Sequence, residues 1–176
     1  MLSWLLLLVL LPSAYSQNCS YIFDGKRYSK QNILTIQGIP TQLQIDPITN
    51  DLIFSLSDSL LNLFTGSIYI LRNGTPVKIN VNYAYVAASD FDHNRVFVGT
   101  AYGLKLLDNK NQALMDIASL YNTAVIRLFK PVEENKLFII TQLYNTVYQL
   151  DLNTFQKSNV GSIPYAWQVV SDFEGN

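Results

Sequence analysis

Residues 43–54 read LQIDPITNDLIF, in which two apolar runs flank a polar segment that begins with Asp46 and ends with Asn50. An Asp side chain can hydrogen-bond the backbone two residues further on, and Asn tolerates a left-handed backbone conformation. Apolar runs on either side of such a turn pair as antiparallel strands. The segment therefore predicts a β-hairpin.

The same hairpin pattern returns three times along the chain. Its Asn recurs at Asn94, Asn135 and Asn176, at intervals of 44, 41 and 41 residues, and the third copy has Pro131 in place of the Asp. A second turn signal follows in each complete unit, at residues 73–74, 108–109 and 151–154. Four strands in about 40 to 45 residues are typical of one β-propeller blade. A meander or sandwich with coincidental spacing is the alternative.

We therefore predict an all-β chain, a β-propeller of four-stranded antiparallel blades. The predicted units cover residues 38–82, 83–122 and 123–163, with the start of a fourth at 164–176. Before them, residues 19–37 predict two short strands around a turn and a third strand at 33–37. About three and a half blades make a truncated ring, because closed propellers need roughly four to eight. The chain is thus expected to be the N-terminal part of a longer protein.

Composition narrows the function classes. Twelve Lys and Arg against thirteen Asp and Glu give a net charge of -1, which argues against a nucleic-acid binder that neutralises phosphates. A single His argues against a multi-histidine zinc site, and no metal site or cofactor is predicted. One Cys permits no disulfide within the chain.

The N-terminus has the pattern of a secretory leader. Residues 4–11 are an unbroken apolar run, too short for a bilayer that needs roughly 20 residues. The run is followed by Ala14-Tyr15-Ser16, which fits the small-x-small cleavage pattern, although no Lys or Arg precedes it. We predict a signal peptide at residues 1–16, a mature chain that begins at Gln17, and an extracellular protein that has no membrane segment after cleavage.

Two sequons and the single cysteine become relevant because the chain is predicted to be secreted. Asn18 and Asn73 each begin an Asn-x-Ser/Thr sequence and are candidate glycosylation sites, although Pro76 makes the second a poorer acceptor. In an oxidising compartment Cys19 can stay free, pair between chains, or pair with sequence outside this chain.

The mature N-terminal region resembles a known family. The resemblance is carried by NCSYIFDG at residues 18–25, YSK at 28–30, IPTQLQIDP at 39–47 and TNDLIFS at 49–55. This run is similar to the ommochrome-binding proteins of insect haemolymph, most closely between residues 18 and 55 and more loosely towards the end of the chain.

The resemblance implies a secreted, non-catalytic carrier of ommochromes, the phenoxazinone pigments made from tryptophan. It also implies a longer chain, since members of the family run well beyond 176 residues. The expected partner is a small planar aromatic pigment, such as an ommatin, in haemolymph. Such a flat, acidic ligand needs aromatic or apolar faces, hydrogen-bond donors and a cation.

Candidate ligand residues come from the innermost strand of each blade, which lines the channel of a propeller. Adjacent strand residues face opposite sides, so two columns are possible. The first column holds Gln42, Val86, Arg127 and Gln168, and the second holds Thr41, Tyr85, Ile126 and Trp167. We predict ligand contacts at Gln42, Tyr85, Arg127, Trp167 and Gln168.

Each candidate has a plainer interpretation. Gln42, Arg127 and Gln168 could line a water-filled channel, and Tyr85 and Trp167 could pack between blades. His93 lies in a turn and is expected to be solvated.

Two other function classes compete with the carrier. A metal-dependent lactonase-type hydrolase would need several oxygen ligands at the channel, and the two columns contain no Asp or Glu. A protein-interaction propeller could use residues 57–65 as an apolar recognition loop.

Overall fold

The computed structural model describes residues 20–23, 25–29, 34–46, 48–57, 66–109, 113–131 and 134–164. Several predictions fall outside these residues and have no structural counterpart here. They are the signal peptide, Asn18, Cys19, residues 58–65 of the recognition loop, Trp167, Gln168 and the fourth unit beyond residue 164.

The prediction of an all-β chain with antiparallel sheets is confirmed. The described residues form fourteen strands, and every strand pair is antiparallel. The strands are β1 (Ser20–Phe23), β2 (Lys26–Ser29), β3 (Ile39–Ile45), β4 (Leu52–Ser57), β5 (Gly66–Arg72), β6 (Thr75–Lys78), β7 (Ala84–Asp90), β8 (Arg95–Thr100), β9 (Gly103–Asp108), β10 (Leu114–Asp116), β11 (Val125–Phe129), β12 (Lys136–Thr141), β13 (Thr146–Asp151) and β14 (Lys157–Ser162). Short 3₁₀ turns occupy Phe91–His93, Ala118–Leu120 and Leu143–Asn145.

The chain divides into two compact units, residues 1–35 and 36–176. In the first unit β1 pairs with β2, and Gly25 lies in the turn at φ +68°. The third strand predicted at residues 33–37 is wrong for the described residues 34–37, which form no strand. The next strand begins only at Ile39, after Gly38 at φ +124°.

The described residues of the second unit form three four-stranded meanders. β3 to β6 form the first, β7 to β10 the second and β11 to β14 the third, and each meander pairs its strands in sequence order. The first two are joined by a single bridge between Gly66 and Ala84. Each of the meanders is built from two consecutive hairpins, as the turn signals predicted.

The turn chemistry at the first hairpin matches its sequence signature. The Asp46 carboxylate accepts hydrogen bonds from the backbone N–H groups of Ile48 and Thr49 at 2.9 and 3.1 Å. Asn50 adopts φ +57°, and Asn94 adopts φ +52° at the equivalent turn. A side-chain acceptor and a left-handed Asn therefore reverse the chain as expected.

The apolar cores lie between successive meanders. One cluster joins the first two meanders through residues such as Ile68, Val96 and Val98. A larger cluster joins the second and third through residues such as Phe97 and Leu137. Gly99 is required at this second junction, because a Cβ there would lie 2.5 and 2.6 Å from methyl carbons of Val86 and Val125.

Candidate ligand-binding cavity

A cavity of about 420 Å³ lies between β3 and the β11–β12 hairpin. It is lined by side chains from the first and third meanders: Thr41, Gln42, Leu43, Gln44, Arg127, Leu128, Phe129, Lys130, Phe138 and Ile140. None of these described lining residues carries a carboxylate, and two of them are cations. The volume falls within the range of small-molecule pockets, about 300 to 1,000 Å³.

The first strand of each meander has the same irregularity. In β3, β7 and β11 the register shifts by one residue, and the extra residues are Thr41, Tyr85 and Ile126. These three residues are the described members of the second predicted column. A β-bulge bends the strand and changes the direction of a side chain, so alternation alone does not decide which way this column faces. Of the three residues, Thr41 is in the described lining of the cavity and Tyr85 and Ile126 are not.

Arg127 lies in the cavity wall. It is half-buried in β11 opposite Ile140, and its Nη1 donates to the carbonyl of Ile126 at 2.6 Å. Burial disfavours the charged form and lowers the pKa of its guanidinium. The ordinary pKa of Arg is so high that the side chain stays charged at neutral pH.

Gln42 also lines the cavity, but its amide is engaged with the protein. Its Nε2 donates to the carbonyl of Ala87 at 2.8 Å, and its Oε1 accepts from the N–H of Ala87 at 3.1 Å. This paired contact joins β3 to the first strand of the next meander. The predicted role of Gln42 as a ligand donor therefore competes with a role in joining the meanders.

The contact made by Gln42 is the first step of a polar ladder. Further along β3, Gln44 accepts from the N–H of Ser89 at 3.1 Å, and the Ser89 hydroxyl donates to Asp46 at 2.6 Å. Burial of Asp46 raises its pKa, but the hydrogen bonds from Ser89 and the turn outweigh burial, so the pKa is lowered overall. Alternate side chains of β3 thus satisfy the polar groups of β7.

Replacing Ser89 by alanine is expected to lower stability by about 1.5–3 kcal/mol at neutral pH, because a buried carboxylate loses a donor. Because folding lowers the pKa of Asp46, its carboxylate stabilises the folded state at pH values above the unfolded pKa of about 3.9. This stabilisation is lost as the pH falls through the pKa that Asp46 has in the folded state. The variant should therefore lose less stability than the parent on acidification. Urea unfolding between neutral and acidic pH measures this, and an equal acid response in both proteins would contradict it.

Two phenylalanines form an aromatic wall that sequence reasoning missed. Phe129 and Phe138 are directly opposite each other on β11 and β12, with ring centroids 6.5 Å apart and planes inclined by 28°. Both line the cavity. Pairing the strands outward from the Pro131–Asn135 turn would have placed them opposite each other, so the hairpin register was the available signal.

Lys130, the second cation of the cavity wall, has its charge paired within the protein. Its fully buried side chain donates to the Asp92 carboxylate at 3.2 Å and to the carbonyl of Pro131 at 2.8 Å. The ammonium also lies 5.0 Å from the centroid of the Phe91 ring. Lys130 therefore joins the third meander to the second.

Tyr85 lies on β7, in the second meander, and its predicted contact with a ligand stays a prediction. Tyr85 packs against Ile126, Ile140 and Val147 and is absent from the described cavity lining. Burial is the main cause that raises the pKa of the Tyr85 hydroxyl, and the neighbouring phenols of Tyr102 and Tyr83 raise it further.

His93 is exposed in a turn, as predicted, and its ring also contacts a buried carboxylate. Its Nδ1 lies 3.0 Å from the carboxylate of Asp90, which is fully buried. The same carboxylate accepts from Nε of Arg95 at 2.6 Å, and Arg95 Nη2 donates to the carbonyl of Leu152 at 2.9 Å. The group joins the second and third meanders through Arg95.

The remaining predicted sites can be placed briefly. Asn73 is exposed at the turn between β5 and β6, at φ +50°. Within the described ranges, no three His, Cys, Asp or Glu side chains are grouped so as to hold a metal ion. In the same part of the chain, no helix has the length and apolar character needed to cross a membrane.

Comparisons with known proteins bear on the fold alone. No protein-family model and no curated protein sequence matches the chain. The chain is similar, at 16% identity, to two crystal structures of an extracellular domain from B. thetaiotaomicron. One of them describes the protein as a hybrid two component system and the other as a one component system. Their TM-scores are 0.59 and 0.55, with 90% and 83% of this chain covered. The chain spans only about a quarter of each of those structures, 24% and 22%.

Proposed function

We propose that the protein is a secreted, non-catalytic carrier of an ommochrome-type pigment in haemolymph, and that its meanders are blades of a β-propeller. In this proposal the ligand is a small, planar, acidic aromatic molecule, and it occupies the cavity between β3 and the β11–β12 hairpin.

The propeller is supported by the repetition in the second unit. Three meanders of four antiparallel strands follow one another, the first strand of each carries the same bulge, and the apolar cores lie between successive meanders. A blade of a propeller packs its face on the next blade in this manner.

The ligand class is supported chiefly by one observation. The Arg127 guanidinium shares a cavity of about 420 Å³ with the paired rings of Phe129 and Phe138, and the described lining contains no carboxylate. A guanidinium binds a carboxylate or sulfate through charge-assisted hydrogen bonds, which are stronger than neutral ones. Phenylalanine rings favour an offset or edge contact with a flat conjugated ligand.

The carrier role and the haemolymph come from the sequence. The resemblance over residues 18–55 supports the pigment, and the apolar run of residues 4–11 with its cleavage pattern supports secretion. A carrier must bind and release its ligand unchanged, so reversible contacts from Arg127 and the two rings are sufficient for this function.

The secreted protein itself provides the test. We expect material purified from the medium of an insect-cell culture to begin at Gln17 and, after incubation with ommatin and gel filtration, to retain the visible band of the pigment. Incubation with a neutral, non-planar compound of similar size is the control. Met1 at the N-terminus of extracellular protein would refute secretion by cleavage, and a colourless protein would refute the carrier.

A further inference from the structure

Two exposed tyrosines lie side by side at one end of the second meander. The ring centroids of Tyr83 and Tyr102 are 5.5 Å apart and the planes are perpendicular, at 88°. The residues are 56% and 57% exposed, so both are accessible from solvent. The pair lies outside the described lining of the proposed pigment cavity.

The backbone holds the two tyrosines in place. The N–H of Ala101 donates to the carbonyl of Tyr83 at 3.1 Å, and the N–H of Asn122 donates to the carbonyl of Tyr102 at 2.7 Å. Tyr83 adopts φ +54°, a left-handed conformation that is unusual for a bulky residue. Such an outlier persists only where the surroundings enforce it, and it is a reason to look for a function.

The hydrogen bond at Tyr83 does not depend on a tyrosine side chain. In the third meander the N–H of Gln142 donates to the carbonyl of Ala124 at 2.9 Å, which repeats the bond between Ala101 and Tyr83. In that meander Ala124 and Leu143 occupy the positions equivalent to Tyr83 and Tyr102. This hydrogen bond therefore forms without a tyrosine pair, whereas the positive φ of Tyr83 is not repeated at Ala124.

We propose that Tyr83 and Tyr102 are a site of oxidative cross-linking, which forms an intramolecular dityrosine when a peroxidase supplies hydrogen peroxide as oxidant. Each phenol loses one electron and one proton to give a phenoxyl radical. The radicals join through a carbon–carbon bond between ring positions ortho to the oxygens, and the two ortho hydrogens move to the oxygens to restore the phenols. The peroxide takes up the two electrons and two protons and becomes two molecules of water.

The cross-link would join the loop before β7 to the turn between β8 and β9. It would close a loop of the unfolded chain, as a disulfide does, and thiol reductants would not reverse it. A disulfide that closed a loop of this length would restrict the unfolded chain enough to raise the melting temperature by roughly 5–10 °C, and we expect the same of the dityrosine.

The test treats the purified secreted protein with horseradish peroxidase and hydrogen peroxide at neutral pH. We expect a monomer that has lost two hydrogen atoms by mass, with dityrosine fluorescence, a cross-linked peptide containing Tyr83 and Tyr102, and a rate independent of protein concentration. Tyr83→Phe and Tyr102→Phe should each lower the yield of cross-linked monomer at least about tenfold, because the partner at high effective concentration is lost.

Tyr121→Phe is the matched control, since Tyr121 is 67% exposed and is not part of the ring pair. It should leave the yield unchanged. Equal yield in the Tyr83→Phe variant, a peptide map that joins Tyr85 or Tyr121 instead, or a product that is mainly dimeric would each overturn the proposal. Each phenylalanine retains the ring, so loss of folding would not be confused with loss of the site.

Discussion

The Arg95→Ala variant is expected to lose about 3–5 kcal/mol of unfolding free energy at neutral pH. The substitution leaves the fully buried Asp90 carboxylate without its 2.6 Å partner and removes the bond to the Leu152 carbonyl. It also removes a guanidinium that lies 5.6 and 5.2 Å from the ring centroids of Phe97 and Phe155. Urea unfolding of parent and variant measures the difference.

A charge at the surface provides the comparison. Lys105 pairs with Asp116, whose side chain is 59% exposed, so Lys105→Ala should cost at most about 1 kcal/mol. The double variant Arg95→Met/Asp90→Asn should recover part of the loss, because no charge is then buried without a partner. Equal costs for Arg95→Ala and Lys105→Ala would mean that Asp90 is not held in the way the structure indicates.

The Arg127→Gln variant is expected to bind ommatin about ten- to a hundred-fold more weakly than the parent, while its secretion is unchanged. Loss of a charge-assisted hydrogen bond costs roughly 1.5–3 kcal/mol, which corresponds to this range of affinity. Titration with the pigment, followed at its visible band, measures the dissociation constants.

Two further variants separate charge from stacking. Phe138→Leu should cost less, about 0.5–1.5 kcal/mol, because it removes one ring contact. Lys157→Gln removes an exposed cation that lies outside the described cavity lining, and the affinity should not change. Unchanged binding by Arg127→Gln would mean that the pigment, if bound, occupies another site.

The hairpins could be predicted because their determinants are local. The turn that begins at Asp46 depends on its own side chain and on the left-handed Asn50, both of which lie within five residues. The third strand predicted at residues 33–37 is followed by Gly38 but not by an Asp-to-Asn turn like that of residues 46–50, and the structure has no strand at residues 34–37. Apolar residues alone were therefore a weaker indication than apolar residues flanking a defined turn.

The cavity was only partly predictable, for a geometric reason. Counting back from each hairpin turn placed Gln42 and Arg127 in one column, and both residues line the cavity. Tyr85 lies on β7, and no described residue of that strand lines the cavity, so the position in a column did not decide which strands contribute to it. The contacts of Gln42 with Ala87 and of Lys130 with Asp92 cross between meanders, and no local pattern encodes them.

The most direct test of the central claim is a cycle of four titrations, in which the parent and Arg127→Gln are each titrated with ommatin and with its carboxyl methyl ester. If Arg127 binds the acidic group of the pigment, esterification should weaken binding to the parent about ten- to a hundred-fold and leave binding to the variant almost unchanged. Equal effects of esterification on both proteins would contradict the claim, because the acidic group would then be bound independently of Arg127.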